Sequence, residues 1–246
     1  MKKDIYFVSD CHFKPQPDHN QSRERQMFFD FLEKIESSAA RLYLVGDVFD
    51  FWFEYKYVIP KYLFDVLFAL KKIAINGCEI HILGGNHDYW MGDFFTNNGI
   101  SVHQEDIELD YQNKKFFITH GDGKLNLDPL YPLLKSFLRN KFIIKLFKIV
   151  HPDLAFRIAD FVSRSSRNQD PDTNDELMQF YDEKIEKFCR EKFKEDYDFI
   201  VTGHYHYPKT YDYQGYRFIN LGDWVRHFTY GYFSEGKLLL SNYLDE

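Results

Sequence analysis

Five short clusters rich in aspartate, histidine and asparagine recur along this 246-residue chain. They are Asp10-Cys11-His12, Gly46-Asp47-Val48-Phe49-Asp50, Gly85-Asn86-His87-Asp88, His120-Gly121-Asp122 and Gly203-His204-Tyr205-His206. Oxygen and nitrogen donors without thiolates suit Mn²⁺, Fe, Zn²⁺ or Co²⁺. One ion needs about three or four protein ligands. The candidates Asp10, His12, Asp47, Asn86, His120, His204 and His206 exceed that, so the spacing points to two divalent ions sharing one carboxylate. A pair about 3.5 to 4 Å apart clamps the attacking and leaving oxygens of an in-line displacement. With neutral imidazoles and only Asp10 and Asp47 ionised, the centre keeps a positive charge that draws phosphate and stabilises an anionic transition state. The chemistry implied is hydrolysis of phosphate esters or anhydrides.

Taken singly, these residues are ordinary. Gly85-Asn86 is a common turn pair, Asp47 suits a helix cap, and a lone histidine is usually a surface or hydrogen-bonded core residue. The weight lies in their order and setting. Five of the ten histidines fall in the clusters, whereas His19, His81, His103, His151 and His227 have no such setting. Alternate side chains of a strand point the same way, which predicts Asp10 and His12 on one side with Cys11 opposite. The same rule predicts His204 and His206 together with Tyr205 turned away. Cys11 therefore reads as packing, not as a nucleophile.

The elements that must deliver these clusters are strands. Residues 4–9, 41–45, 79–83 and 199–202 are short apolar runs, each ending at a cluster. Residues 22–36 carry apolar positions at helical spacing, with Ser22 as N-cap. Residues 60–75 form a second helix opened by Pro60 and ended by Gly77. Alternation of strand and helix argues for parallel α/β units. Beyond them, 100–109 and 114–119 read as strands around Gln112-Asn113. Residues 174–193 read as an amphipathic helix with Leu177, Tyr181, Ile185, Phe188 and Lys192 along one side. From 208 to 243 short strands alternate with turns. The expectation is one domain over 1–246 with two sheets.

A net charge of −7 disfavours a nucleic-acid partner. Three scattered cysteines do not make a disulfide framework, which predicts a reducing, cytoplasmic setting. No apolar run reaches the roughly 18 to 20 residues of a membrane-spanning helix, and no signal peptide is apparent. One segment stands apart. Residues 130–162 are rich in Leu, Ile and Phe, and residues 124–167 hold nine Lys or Arg against three Asp, a net of +6 that leaves −13 elsewhere. That asymmetry marks an anion-facing or membrane-facing surface; the plainer reading is a helical insertion packed into the core.

The five motifs resemble those of the calcineurin-like metallophosphoesterases: D-x-H, G-D-x-x-D, G-N-H-D, a later H, and G-H-x-H. The resemblance implies a four-layer αββα sandwich, an α/β fold in which two mixed sheets are flanked by helices. It also implies ligand roles. Asp10, His12 and His206 hold one ion, Asn86, His120 and His204 the other, and Asp47 bridges. His87 contacts the phosphoryl group and assists the leaving group, Asp88 orients His87, and Asp50 supports from behind. Manganese is the expected metal, with Fe, Zn, Co or Mg as alternatives.

A narrower resemblance, to the UDP-2,3-diacylglucosamine diphosphatases of lipid A synthesis, rests on four runs and on the basic apolar insertion at 124–168. The runs are Tyr6 to His12, Gly46 to Trp52, His120 to Gly123, and Asn220 to Trp224. Many of that group carry arginine where this chain has His87; a histidine-bearing branch is known. The resemblance implies an acylated UDP-sugar substrate cleaved to UMP and a diacylglucosamine 1-phosphate. It implies a helical lid, contact with the anionic inner-membrane surface, and substrate contacts at Asn86, His87, Asp128, Arg157, Ser166 and Arg167. Arg164 adds charge. Rival readings keep the fold with a small phosphodiester or nucleotide substrate, or make it a non-catalytic binding scaffold. An HD-type phosphohydrolase is set aside because His87-Asp88 follows a strand.

Overall fold

The computed structural model describes residues 3–15, 19–125, 131–166 and 175–245. Two mixed sheets face each other. The first has six strands in the order β11-β10-β1-β2-β3-β4. Here β1 is Asp4–Val8, β2 Ala39–Val45, β3 Glu79–Leu83, β4 Ser101–His103, β10 Thr229–Ser234 and β11 Lys237–Asn242. The second has five, β5-β6-β7-β9-β8, with β5 Ile107–Tyr111, β6 Lys114–Thr119, β7 Phe199–Thr202, β8 Lys209–Tyr213 and β9 Tyr216–Asn220. Strands β1 to β4 are mutually parallel, as the alternation with helices predicts, and β10 joins β1 antiparallel.

The layers follow from which faces are apolar. Ile5, Phe7, Tyr43, Val45 and Leu83 of the first sheet pack on Phe116, Ile118, Val201 and Ile219 of the second. Helices α1, His19–Ile35, and α2, Phe64–Ile75, cover the outer face of the first sheet. Phe28, Phe31, Leu32 and Ile35 of α1, with Val66, Leu70 and Ile73 of α2, form the stripe that buries there. Helix α7, Asp175–Lys192, covers the second sheet through Ile185 and Cys189. A short helix α3, Phe94–Asn97, precedes β4. The arrangement is the αββα sandwich that the motif resemblance implies.

Three expectations need correction. Helix α1 begins at His19, so Ser22 is inside its first turns rather than its cap. Pro60 precedes a short 3₁₀ turn, Lys61–Leu63, and the α-helix starts only at Phe64. The single strand expected over 100–109 is two strands, β4 and β5, in different sheets. The polar stretch 104–106 carries the chain from one sheet to the other. The turn at Gln112 and Asn113 has both residues at positive φ, the twist that suits a tight hairpin.

The basic insertion forms three helices, α4 Tyr131–Leu138, α5 Lys141–Phe147 and α6 Pro152–Ser166. It is not core filler: Leu133, Phe137, Phe142, Leu146, Ile149, Leu154 and Phe161 are exposed. Ala155 is buried, and Phe147 and Phe156 turn inward onto Phe51, with ring centroids 6.1 and 5.5 Å away.

His81 shows how the sheet edge treats a polar ring. It stacks on Tyr43 at 4.6 Å and pairs with His103, Nδ1 to Nε2, at 3.1 Å. Burial, then the nearby His103 and Arg41, push its pKa down to about 4. Unfolded, an imidazole titrates near about 6.5. Between those values the unfolded chain binds the extra proton, so this group's contribution is intact above about 6.5 and is lost as pH falls towards 4. We expect wild type to lose stability relative to His81→Phe, which keeps the ring stack, as pH falls through that window. Urea unfolding of both proteins at several pH values checks this; parallel trends would refute the assignment.

Candidate metal centre

All five clusters sit at the carboxyl ends of β1, β2, β3, β6 and β7, where the two sheets meet. The first two clusters run side by side beyond their strands. Asp10 N donates to Gly46 O at 3.1 Å, His12 N to Asp47 O at 3.0 Å, and Phe13 N to Val48 O at 2.9 Å. Bonds across the sheets close the centre. The amide of His204 donates to Asp10 Oδ2 at 2.8 Å, and His120 Nδ1 donates to the Val45 carbonyl at 2.9 Å.

The backbone here is unusual. Asp10, His12, Asp47, His204 and His206 all have positive φ, between 46° and 71°. These residues lie past the strand ends and curl left-handed. Strand alternation is therefore not what aims Asp10 with His12, or His204 with His206; paired left-handed residues do it. Cys11 is still turned into the core, and burial followed by the Asp10 charge raises its pKa well above the usual thiol range. The motif glycines make room. A Cβ on Gly85 would collide with the Asp47 carboxylate, and one on Gly46, itself at φ 84°, with the His120 ring.

Two groups of donors result. In the first, His206 Nε2 lies 3.4 Å from Asp10 Oδ1 and 3.2 Å from His12 Nε2. In the second, His120 Nε2 lies 3.3 Å from Asp47 Oδ2 and 3.1 Å from Asn86 Oδ1, with the His204 ring centroid 5.0 Å away. Asp47 also groups with His12 and His87 within 4.8 Å, which places it between the two sets. All seven expected ligands are brought together.

The chemistry of these atoms fits cations. With Nδ1–H of His120 committed to Val45, its Nε2 is aimed at two oxygens, Asp47 Oδ2 and Asn86 Oδ1, so a proton or a metal cation must lie between them. His206 donates through Nδ1 to Asp223 Oδ2 at 3.2 Å, which leaves its Nε2 aimed at Asp10. Asp10 Oδ1 is buried with no hydrogen-bond partner among the described residues. Such facing acceptors are costly without a positive charge among them. Burial opposes ionisation of Asp47, yet His120 and His87 outweigh it and hold its carboxyl well below the usual range. Burial likewise opposes charge on His120, and Asp47 overrides it in the other direction. Burial and a charged His120 push His204 down to about 3, the neutral form a metal ligand needs.

The residues around this core are placed less uniformly. His87 Nδ1 donates to the carbonyl of Asp50 at 3.0 Å, and its amide donates to Asp47 Oδ1 at 2.8 Å. Asp50 Oδ1 lies 3.6 Å from His12 Nδ1 and 3.8 Å from His87 Nδ1, the supporting position expected of it. Asp88 differs from expectation. Its buried carboxylate accepts from four main-chain amides, Asp47 at 3.3 Å, Val48 at 2.8 Å, Phe49 at 3.3 Å and Gly85 at 2.8 Å. It braces two loops against each other, and the contact that orients His87 comes from Asp50. Arg157 is on the exposed surface of α6 and Ser166 is that helix's last residue. Asp128 and Arg167 lie outside the described residues.

Two aspartates named in the sequence runs have roles that the sequence reading did not assign. Asp223 holds His206, as above. Asp122 ties the loop after His120 to α4, accepting from Tyr131 at 3.1 Å, Lys135 at 2.7 Å and Arg139 at 3.2 Å. The signal for Asp223 was present: Gly222-Asp223 follows a strand just as Gly46-Asp47 does.

Fold and site together define a metal-dependent phosphoesterase. The chain belongs to the calcineurin-like phosphoesterase family, whose pattern matches residues 3–208. It is 28% identical to UDP-2,3-diacylglucosamine hydrolase of Porphyromonas gingivalis, over 100% of this chain and 99% of that protein. It is 27% identical to the like-named protein of Haemophilus influenzae, over 92% of each. Among solved structures, Vacuolar Protein Sorting 29 from Cryptosporidium parvum is 14% identical, covers 97% of this chain and 95% of that one, and has a TM-score of 0.46.

Removing the Asp88 carboxylate should leave several buried amides without an acceptor. Asp88→Ala is expected to cost about 3 kcal/mol or more of stability, read by chemical denaturation. Unchanged stability with lost turnover would assign Asp88 to catalysis instead.

Proposed function

We propose that this protein hydrolyses the pyrophosphate of UDP-2,3-diacylglucosamine, releasing UMP and 2,3-diacylglucosamine 1-phosphate. The observation that carries this reading is an apolar, cationic helical surface set against a two-metal donor set, in a chain whose full-length relatives bear that name. Phe51, Phe53 and Trp90, from the loops that carry Asp50 and His87, meet Phe147 at ring-centroid distances of 6.1, 4.9 and 4.9 Å. Trp90 Nε1 donates to Leu138 O at 2.8 Å, and Tyr55 OH to Val150 O at 2.9 Å. An aromatic wall beside a phosphate-attracting centre suits a substrate with acyl chains on one end and an anionic nucleotide on the other.

In this reading Asp10, His12 and His206 hold one ion, Asn86, His120 and His204 the second, and Asp47 lies between. Bound divalent ions supply Lewis acidity and a water of lowered pKa. Manganese is the first choice for an oxygen and nitrogen donor set, with Fe, Zn, Co and Mg as comparison ions. His87, fixed through Nδ1 by the Asp50 carbonyl, is left with Nε2 for the leaving oxygen. With a second proton on Nε2, as imidazolium, it acts there as hydrogen-bond donor or general acid and gives that proton to the leaving oxygen. Asn86 and His87 contact the phosphoryl groups, with Arg157, Asp128, Ser166 and Arg167 reaching the rest of the substrate. The helices α4 to α6 serve as the lid.

Purified protein with Mn²⁺ should release UMP from the acylated UDP-sugar faster than it cleaves bis(p-nitrophenyl) phosphate or ADP-ribose. A preference for the small soluble esters would overturn the lipid reading while leaving the phosphoesterase. His87→Ala should retain its metal and lose about 10²-fold or more in turnover; an unchanged rate would remove it from the mechanism.

No helix of the described residues is long and apolar enough to cross a membrane. Lys141, Lys145 and Lys148 are exposed beside the apolar residues of α4 and α5. This composition supports peripheral contact with the anionic cytoplasmic face of the inner membrane. Replacing these three lysines with Glu should reduce sedimentation with anionic vesicles; equal sedimentation would count against it.

A further inference from the structure

Asp223 is buried in the loop after β9, outside the five clusters. Its two oxygens do separate things. Oδ1 accepts from the amides of Val225, Arg226 and His227 at 3.0, 2.6 and 3.1 Å, closing the turn. Oδ2 accepts from Nδ1 of His206 and from Nδ1 of His227, both at 3.2 Å. The next residue, Trp224, donates its amide to Asp10 O at 3.2 Å. One loop thus holds two members of the Asp10–His12–His206 group. The His120 side of the centre is fixed differently, by the main-chain carbonyl of Val45.

Packing does not hold His206 by itself. Its side chain is 37% exposed, against 8% for His12 and 2% for His120. A half-open imidazole needs a hydrogen bond to fix its rotation and tautomer. A carboxylate on Nδ1–H does both, and it makes Nε2 more electron-rich towards a cation.

We propose that Asp223 is the positioning residue of His206 and sets the affinity of the Asp10–His12–His206 position without setting that of its neighbour. The inference rests on the two-metal reading above and adds an asymmetry to it. The two positions are supported by different kinds of group, a carboxylate on one side and a main-chain carbonyl on the other, so they are separable by substitution.

The test is Mn²⁺ binding to metal-stripped full-length protein, by equilibrium dialysis and elemental analysis. Wild type should take up two ions per chain. Asp223→Asn keeps an oxygen to close the turn but removes the acceptor of His206 Nδ1–H. It should bind one ion as wild type does and the other about 10- to 100-fold more weakly. His206→Ala should lose that same ion. His227→Phe, which keeps Asp223, should bind both ions normally. Far-UV circular dichroism confirms folding, and if Asp223→Asn does not fold, Asp223→Ser replaces it with the same expectations. Two ions at wild-type affinity in the folded variant would overturn the inference. So would parallel weakening of both ions, or an equal loss in His227→Phe, since each signals damage to the loop as a whole. A wild-type chain that binds no Mn²⁺ would instead bring down the two-metal reading and this inference with it.

Discussion

The structure is organised around a repulsion. Two carboxylates and several imidazole and amide lone pairs point at one another inside a buried space. Left alone they would push apart, and the fold spends much of its local chemistry holding them together. Asp10 and Asp47 each tie one oxygen to a main-chain amide, of His204 and His87 respectively, and leave the other oxygen to the centre. The histidines tie Nδ1 outward where a partner is available and direct Nε2 inward. Positive charge at the centre then relieves what the protein has compressed.

The backbone bears the cost. Five non-glycine residues of the centre adopt left-handed geometry, each disfavoured by roughly 1 to 2 kcal/mol. Such geometry lets consecutive short segments turn their polar side chains the same way just past a strand, where regular pleating has ended. Asp88 steadies two of these segments by gathering their amides. The hydrophobic layers around them supply rigidity: the rings of Phe7, Phe116 and Phe233 interlock between the sheets.

Much of this was legible from residue order. Strands β3 and β7 run as the apolar pattern requires, the parallel pairing follows from the alternation with helices, and all seven donors converge. The departures are instructive. Reading 100–109 as one strand passed over the polar run Gln104-Glu105-Asp106, which interrupts the apolar pattern where the chain changes sheet. Alternation along a strand predicted the facing of Asp10 and His12 for the wrong cause, because left-handed turns leave no periodic trace. The family resemblance assigns Asp88 to orienting His87, whereas the partners of its carboxylate are amides from two loops. Asp223, noted only within the run Asn220 to Trp224, received no role because a single Gly-Asp pair says little until the strand before it is known to end beside His206. The apolar insertion is exposed over much of its length, which composition alone does not separate from a core-packed one.

The bonds between the far ends of the chain have a consequence for biosynthesis. Asp10 and His204, like His12 and His206, are 194 positions apart. At ribosomal rates of about 5 to 20 residues per second, roughly 10 to 40 s elapse before the second partner exists. Until then the first sheet also lacks β10 and β11. The nascent chain therefore passes through a stage that offers an incomplete set of ligands but no complete binding place. Maturation of the centre is a late event, tied to the arrival of the last third of the polypeptide.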